Sequence, residues 1–592
     1  MTQALHGRTN KRWRILPHDG ERIARLERQA GVSPIVAQLL AARGILEPDA
    51  ARVFLETKLT GLREPDDLPG VAAAAERIHA AIVARRKIIV YGDYDADGMT
   101  GTAILLSCLK LLGADAGYYV PNRMEEGYGL NCDALRKLAE RGTSLVVSVD
   151  CGIASLVEAR TAREVGLELI VTDHHEFAAE LPAAAAIVHP RLPGSSYPFG
   201  GLCGAGVALK LAWALCQRAS QAKRVSEPLR NFLMTALGLA AIGTVADVVP
   251  LLDENRLIVR HGLNSLKAAP PLGLLSLMQV AKLADKPSLT SEDIAFTLAP
   301  RLNAAGRFGQ AQLAVELLTT DNAERAQQLA EYIHELNGSR ESLERSIQLA
   351  AAKQIKAEFD PDSEAAIVLE GRGWHAGVIG LVAGRLAEKH HRPVVLIALD
   401  PLGTKPAIGS ARSPNGLNLH AALSACSEHL LGFGGHAAAA GLRIDESRIE
   451  AFRGAFCDYA ASESPAGGKI GEIRIDAEGP LAQLTAQTVR QLESLAPFGQ
   501  GNPRPILCAT GVRLAEPPKR MGSGERHLSL KLVQQRTTLR GVGFGCGDWL
   551  DELTAAVDAP LDIAFRPVIN DYRGRQSVEV QLVDWRLSEA GA

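Results

Sequence analysis

The chain has 592 residues, 47% of them hydrophobic and 22% charged, which is room for about four domains with adequate cores and excludes a disulfide- or metal-stapled mini-protein. Sixty-four basic residues face sixty-seven acidic ones, a formal charge of −3, so the total neither advertises nor excludes a nucleic-acid partner; local patches decide. Nine scattered cysteines form no CxxC pair, which argues against a zinc ribbon and for a reduced, cytoplasmic protein.

Residues 1–30 carry seven Lys or Arg (Arg8, Lys11, Arg12, Arg14, Arg22, Arg25, Arg28) against three acids. A solvated basic arm and a nucleic-acid contact are equally weighted readings. No apolar core of signal-peptide type occurs in Met1–Pro17. Residues 34–82 read as short helices, giving a helical, basic segment over 1–84.

An α/β rhythm follows. Apolar runs at 87–90, 144–149 and 168–172 each end at acidic residues, with helical spacing at 101–112, 133–141 and 154–165 between them. That order predicts a parallel sheet covered by helices, with ligands collecting beyond the strands' carboxyl ends. The most apolar stretch, 232–246, is shorter than a membrane span and closes at Asp247. Residues 321–358 predict one long connecting helix that Gly338 bends or interrupts. A second α/β unit occupies 359–461, and Ser462–Lys469 has linker composition. Five alternating segments within 469–586 (469–475, 527–533, 538–544, 562–567, 577–583) predict a small barrel of OB type.

The chemistry concentrates in a few places. Tyr91-Gly-Asp-Tyr-Asp-Ala-Asp-Gly-Met-Thr100 sets Asp93, Asp95 and Asp97 directly after an apolar strand. Held together and ionised, they would repel strongly, and divalent cations such as Mg²⁺ or Mn²⁺ would relieve that. A calcium loop needs Glu at its twelfth position, where this chain has Ile104 or Leu106. Asp150 ends the next strand, and Asp173-His174-His175 ends the third. Asp247 precedes Val248-Val249-Pro250, where a buried carboxylate needs a partner. Seven O/N ligands (Asp93, Asp95, Asp97, Asp150, His174, His175 and Asp247) exceed the needs of one ion. Two ions ~3.5–4 Å apart suit in-line attack on phosphorus. No Walker A motif is present.

The segments Asp-Tyr-Asp-Ala-Asp-Gly (93–98), Asp-His-His (173–175) and Gly-Thr-Val-Ala-Asp-Val-Val-Pro (243–250) resemble the motifs of the DHH phosphoesterase superfamily. Within it, the chain closely resembles the RecJ single-strand-specific exonuclease family. Further matching stretches lie at 121–130, 300–307, 373–380, 409–413 and 433–442, so the resemblance covers about 85–585. It implies a DHH lobe (85–320) and a DHHA1 lobe (359–461) joined by the 321–358 helix around a cleft, then an OB domain (469–586). It also implies two Mn²⁺ or Mg²⁺ ions on the first lobe, held by Asp95, Asp97, Asp150, His174 and Asp247, with Asp93 and His175 close by.

The second lobe would present Ser410, Arg412, Gly434, Gly435 and His436 to DNA, and Arg123, Asn303 and Arg307 would join the substrate side. For the glycines alone, a tight turn with small-residue packing is the competing reading; for Trp374–Gly380, core packing is the favoured one. His189-Pro190 stands where the family pattern leads one to expect Asn-Pro, and an extra imidazole there would tune or add coordination. The barrel face would use Arg504, Lys519, Arg520, Arg526, His527, Lys531 and Arg540, with Phe498, Phe544 and Tyr572 for stacking, since residues 501–550 hold eight Lys or Arg and three acids. For each aromatic singly, core packing is the commoner role.

The resemblance implies 5′→3′ processive degradation of single-stranded DNA to 5′-mononucleotides, in recombinational and mismatch repair. A single-strand-binding protein and a helicase are the implied partners, with a monomeric, cytoplasmic, membrane-free enzyme. The rival readings are a DHH phosphoesterase for short oligonucleotides, cyclic dinucleotides or polyphosphate, and a non-catalytic replication scaffold of the same fold.

Overall fold

A computed structural model describes residues 7–9, 11–123, 126–177, 179–360, 364–414, 416–463, 471–572 and 575–588. The expected linker at 462–469 therefore falls mostly outside the described residues, as do Met124 and Glu125 of the 121–130 motif. The architecture is two α/β lobes joined by a long helix, plus a C-terminal β-barrel.

The first lobe is built on five parallel strands in the order Ala116–Tyr119, Ile88–Tyr91, Leu145–Ser148, Glu168–Thr172, Ala186–Val188. Ile88–Tyr91 and Leu145–Ser148 are buried throughout, as strands covered on both faces must be. The chain runs from Ile88–Tyr91 to one neighbour and then crosses to the other side. The topological switch point therefore lies between Ile88–Tyr91 and Leu145–Ser148, the strands that lead to Asp93 and Asp150.

Helix Glu227–Ala246 has the length and apolarity of a membrane span, more than the 232–246 stretch suggested. In the fold it is a core helix: Ala236–Val245 are all buried. It packs against helices Ala96–Leu111, Gly204–Ser220 and Asp253–Ala268. Gly262 makes one of these approaches possible, since a Cβ there would lie 2.6 Å from the Leu237 carbonyl oxygen.

The connecting helix runs unbroken over Ala323–Glu358, 36 residues, or about 54 Å. Gly338 does not interrupt it. Leu329, Ala330 and Ile333 are buried with the first lobe, and Ile347 and Ala351 with the second. Between them, buried Arg340 donates to Glu344 at 2.6 Å. The second lobe is a mixed sheet in the order Gly432–Gly435, Ala439–Ile444, Ala407–Arg412, Val394–Leu399, Ile367–Arg372. Trp374 packs across Gly371, where a Cβ would meet the indole at 2.1 Å, so the packing reading of that motif holds for the ring.

The barrel closes through five strands: Leu507–Leu514, Leu561–Tyr572, Arg575–Leu587, Thr537–Gly543 and His527–Gln534, returning to the first through Arg513↔Val533 and Leu514↔Leu532. One expected strand is not a barrel member. Glu472–Ile475 instead pairs in parallel with Arg12–Ile15. The member it displaces from the count, Leu507–Leu514, lacks clean alternation because its register shifts between Ala509 and Val512, around Gly511 at φ +66°.

The arm's backbone and apolar residues are accordingly docked, while its Lys and Arg side chains stay exposed. Trp13 is buried and donates to Asp584 at 2.8 Å, and Thr9 donates to the same carboxylate from its N–H and hydroxyl. Leu26, Ile35, Val36, Leu39 and Leu40 of the N-terminal helices share the barrel's core with Leu495, Phe565 and Trp585. Helix Val71–Val83 instead packs on the first lobe. Asp584→Ala removes three hydrogen bonds from a buried anchor and should cost about 1–3 kcal/mol. It should also release the Arg12–Ile15 strand from Glu472–Ile475 and so open its backbone to trypsin; limited proteolysis with a denaturant melt checks both.

Candidate metal centre and substrate cleft

Each ligand candidate is placed by a strand end or a helix start. Asp95 caps helix Ala96–Leu111, accepting from the N–H groups of Asp97 (2.9 Å) and Gly98 (3.0 Å). Asp97 lies fully buried and accepts from Gly204 N–H (2.6 Å) and Ala205 N–H (2.9 Å), the first turn of helix Gly204–Ser220. That helix start offers partial positive charge to the carboxylate. Asp150 is held at φ +63°, a conformation Asp tolerates better than most residues. Asp247 ends the core helix Glu227–Ala246.

The seven side chains converge. Three overlapping groups have ligand atoms within 4.8 Å of one another: Asp93, Asp95 and Asp150; Asp97, His174 and Asp247; and Asp150, His174 and His175. His174 Nε2 lies 3.1 Å from Asp150, 3.6 Å from Asp247 and 3.9 Å from Asp97. Burial, then the neighbouring carboxylates, pushes Asp93 and Asp150 well up from the usual range and Asp247 up to about 8. Burial raises Asp97 too, although His174 offsets part of the effect. Burial also brings His174 down to about 4, leaving a neutral imidazole suited to ligation.

Asp93 Oδ1, Asp150 Oδ1 and His174 Nε2 are buried without a hydrogen-bond partner among the described residues. Orphaned acceptors of this kind, aimed into one space lined by carboxylates, fit divalent cations.

His175 differs from its neighbour. Burial would lower it, but the hydrogen bond from Nδ1 to Asp173 (2.7 Å) and that carboxylate's charge outweigh burial and raise it to about 9. Asp173 also accepts from the N–H groups of Ile153, His174 and His175, which holds it ionised. Asp173 is thus the orienting group of its motif, a role that the motif's letters alone do not state.

His189 does not join the ligands. It is fully buried, its Nε2 faces the His175 carbonyl at 2.9 Å, and its Nδ1 accepts from Arg191 N–H at 3.0 Å. Both ring nitrogens are occupied, so the expected extra coordination is absent.

Between the lobes, a cavity of roughly 400 Å³ is lined by Tyr94 and Arg123 of the first lobe and Ser410, Arg412, Gly435 and Gly441 of the second. Arg412 donates to Ser410 Oγ at 3.0 Å, and Arg123 stacks over Tyr94 at 4.8 Å. Arg307 bridges the lobes by donating to the Gly377 carbonyl at 2.8 Å. Burial, followed by Arg123, Arg340 and Arg412, lowers it to about 10. That crowding of like charges marks the cleft as anion-seeking.

Asn303 has a further duty: its Oδ1 accepts from Ala96 N–H at 2.7 Å, bracing the metal helix. Gly434 and His436 sit exposed on the hairpin Gly432–Gly435/Ala439–Ile444, whose turn closes through His436 N–H to the Ala439 carbonyl. The tight-turn reading therefore fits their geometry.

The barrel candidates divide. Arg504 pairs with Glu292 (3.0 Å) and Glu493 (2.7 Å) and stacks on buried Phe498, so it clips the barrel side to the first lobe. Lys519, Arg526 and Lys531 are exposed, Arg520 lies 3.3 Å from Glu525, and Arg540 pairs with Glu579. Phe544 is exposed with His527 edge-on. The Tyr572 side chain lies outside the described residues. Arg566 and Phe296 went unnoticed in the sequence; both line a cavity of roughly 540 Å³ between the first lobe and the barrel side.

Three domain families match successive stretches of the chain. The DHH family N-terminal domain matches residues 87–244, the DHHA1 domain 363–462 and the RecJ OB domain 475–584. The fold and these domains define a DHH-type protein with a RecJ-type OB domain. Single-stranded-DNA-specific exonuclease RecJ of Bacillus subtilis is 37% identical over 578 residues, covering 98% of this chain and 71% of that one. The Thermus thermophilus protein of the same name is 35% identical, covering 94% and 78%. The crystal structure of RecJ in complex with Mn²⁺ from Thermus thermophilus superposes with a TM-score of 0.82 at 33% identity, over 98% of this chain and 80% of that one. The chain belongs to the RecJ family.

Gly204 tests the centre's geometry. A Cβ there would lie 2.6 Å from Asp150 Cβ and Oδ1. Gly204→Ala should weaken Mn²⁺ binding by about 10-fold or more. Calorimetric titration measures it, and unchanged affinity would show that Asp150 is free to move.

Proposed function

We propose that this chain is a single-stranded-DNA-specific exonuclease, using divalent metal to hydrolyse phosphodiesters in the 5′→3′ direction and release 5′-mononucleotides. The observation that carries the reading is the seven-residue cluster at the first lobe's switch point, with Arg123 on the same lobe and Ser410 and Arg412 facing from the second. RecJ relatives named as single-stranded-DNA-specific exonucleases, and RecJ structures containing Mn²⁺ and Mg²⁺, support the substrate and the metals of this reading.

Asp93, Asp95 and Asp150 would hold one ion, and Asp97, His174 and Asp247 the other, with Asp150 within reach of both. When bound, two divalent cations supply charge neutralisation at the phosphoryl oxygens and a template for in-line displacement. His175, kept protonated at Nδ1 by Asp173, leaves Nε2 for a phosphate oxygen. Arg412 and Arg123 would bind a terminal phosphate, Arg412 already oriented by Ser410. Arg307 and the Gly434-Gly435-His436 hairpin would close over the same nucleotide, while Asn303 steadies the metal helix.

From there the strand would pass along the cavity lined by Val248, Phe296, Phe498 and Arg566. Phe296 is 78% exposed on the π-helical turn Ile294–Leu298, where its ring would be free to stack on a base. Arg566 Nε is without a hydrogen-bond partner among the described residues. Lys519, Arg520, Arg526 and Lys531 would hold strand further out, with Arg504 serving the lobe contact. A monomer working in cytoplasmic recombination and repair, supplied with single strands by a helicase and a single-strand-binding protein, completes the reading. Nine free cysteines suit that compartment. All seven ligand residues are present, which disfavours a non-catalytic scaffold.

The test is digestion of 5′- and 3′-labelled 30-mers with Mn²⁺. The label should leave the 5′ end as mononucleotide, and chelator should stop the reaction. Asp150→Ala should abolish hydrolysis while DNA binding remains. Phe296→Ala should lower kcat/KM on 30-mers by about 10-fold with little change on dinucleotides. Equal wild-type turnover of dinucleotides and long strands, without processivity, would point instead to an oligonucleotide phosphoesterase.

A further inference from the structure

Two residues outside the ligand set grip the backbone of the paired histidines. Arg191 donates from Nη2 to the His174 carbonyl at 2.6 Å. His189 Nε2 approaches the His175 carbonyl at 2.9 Å. A carbonyl can only accept, so this nitrogen carries the ring's proton, and Nδ1 is left to accept from Arg191 N–H at 3.0 Å. The imidazole is therefore neutral and in one tautomer. Phe177 packs edge-on against it at 5.4 Å, and Arg191 pairs with Glu176, the residue that follows the histidines.

The segment 189–191 leaves the sheet's edge strand Ala186–Val188, whose last residue accepts from Asp173 N–H at 3.1 Å. Three consecutive residues, 173 to 175, are thus tied to Val188, His189 and Arg191 by backbone and side chain together.

We infer that His189 and Arg191 form a clamp that sets the peptide planes of His174 and His175, and through them the aim of His174 Nε2 into the metal centre. They are positioning residues and touch neither metal nor substrate. The inference rests on the metal assignment made above. Ring orientation follows from backbone orientation, because His174 has only two side-chain torsions with which to compensate. Loss of one grip leaves that carbonyl without its donor and lets the loop relax toward another one.

The substitutions separate clamp from packing. His189→Phe keeps a ring beside Phe177 but removes both hydrogen bonds. His189→Asn restores a donor and an acceptor on a shorter side chain. Arg191→Gln alters a half-exposed residue with little bearing on the core. The measurement is Mn²⁺ affinity of the full chain by calorimetric titration, with circular dichroism melts alongside.

The clamp predicts Mn²⁺ binding about 10- to 100-fold weaker for His189→Phe, substantial recovery for His189→Asn, and a loss of about 10-fold for Arg191→Gln at an unchanged melting temperature. Parental affinity in both His189→Phe and Arg191→Gln would overturn it. If His189→Phe does not fold, Arg191→Gln decides alone. If the parent chain binds no Mn²⁺, the metal assignment fails rather than the clamp.

Discussion

Carboxylates brought together away from water dominate this molecule. Asp93, Asp97 and Asp150 are all but inaccessible, and Asp95 and Asp247 complete the group. Two unit charges 4 Å apart repel by about 4 kcal/mol at an effective dielectric of 20, and several such pairs act at once. Folding can tolerate this only by protonation or by cations. The surrounding structure reads as a means of holding the group in place. A switch point delivers Asp93 and Asp150, a helix start receives Asp97, and a neutral His174 completes the donor set without adding like charge.

The same constraint explains the glycines nearest the centre. At Gly98 a Cβ would collide with the backbone of Asp93, at Gly204 with Asp150, and at Gly243 with Asp97. Side chains there would part the carboxylates and enlarge the site. Farther out, besides the Arg504 ion pairs, arginines of the first lobe fix the barrel side by binding carbonyls. Arg256 donates to Leu495 and Phe54, and Arg260 to Ser494 and Ala496. The carbonyls of 494–496 follow helix Ala486–Glu493, where positive charge is favoured. These contacts hold the first lobe and the barrel side together on either side of the cavity lined by Val248, Phe296, Phe498 and Arg566.

Much of this was legible in the sequence, because strand-end carboxylates follow short apolar runs whose period and flanks are clear. All seven ligand candidates converge for that reason. The connecting helix was legible from its spacing, but Gly338 was a false signal: helix packing on both sides outweighs roughly 1 kcal/mol of glycine propensity. What escaped depends on long-range pairing. Strand Glu472–Ile475 looks like a barrel member and pairs with Arg12–Ile15 instead, some 460 residues away. Arg504 looked free because nothing local announces Glu292. Phe296 and Arg566 carry no motif, and only the fold sets them on one cavity. His189 looked like a ligand because the sequence does not reveal that both its nitrogens are used.

The most direct test of the central claim compares unfolding of the metal-free and Mn²⁺-loaded chain with that of Asp150→Asn. Asn keeps the shape of Asp and tolerates the φ +63° that this position requires. The account predicts that metal-free Asp150→Asn melts higher than the metal-free parent, by roughly 3 °C or more, because Asn is neutral without the proton that buried Asp150 must take up. It also predicts that Mn²⁺ raises the parent's transition strongly and the variant's little. Equal metal-free stabilities, with equal gains from Mn²⁺, would contradict it.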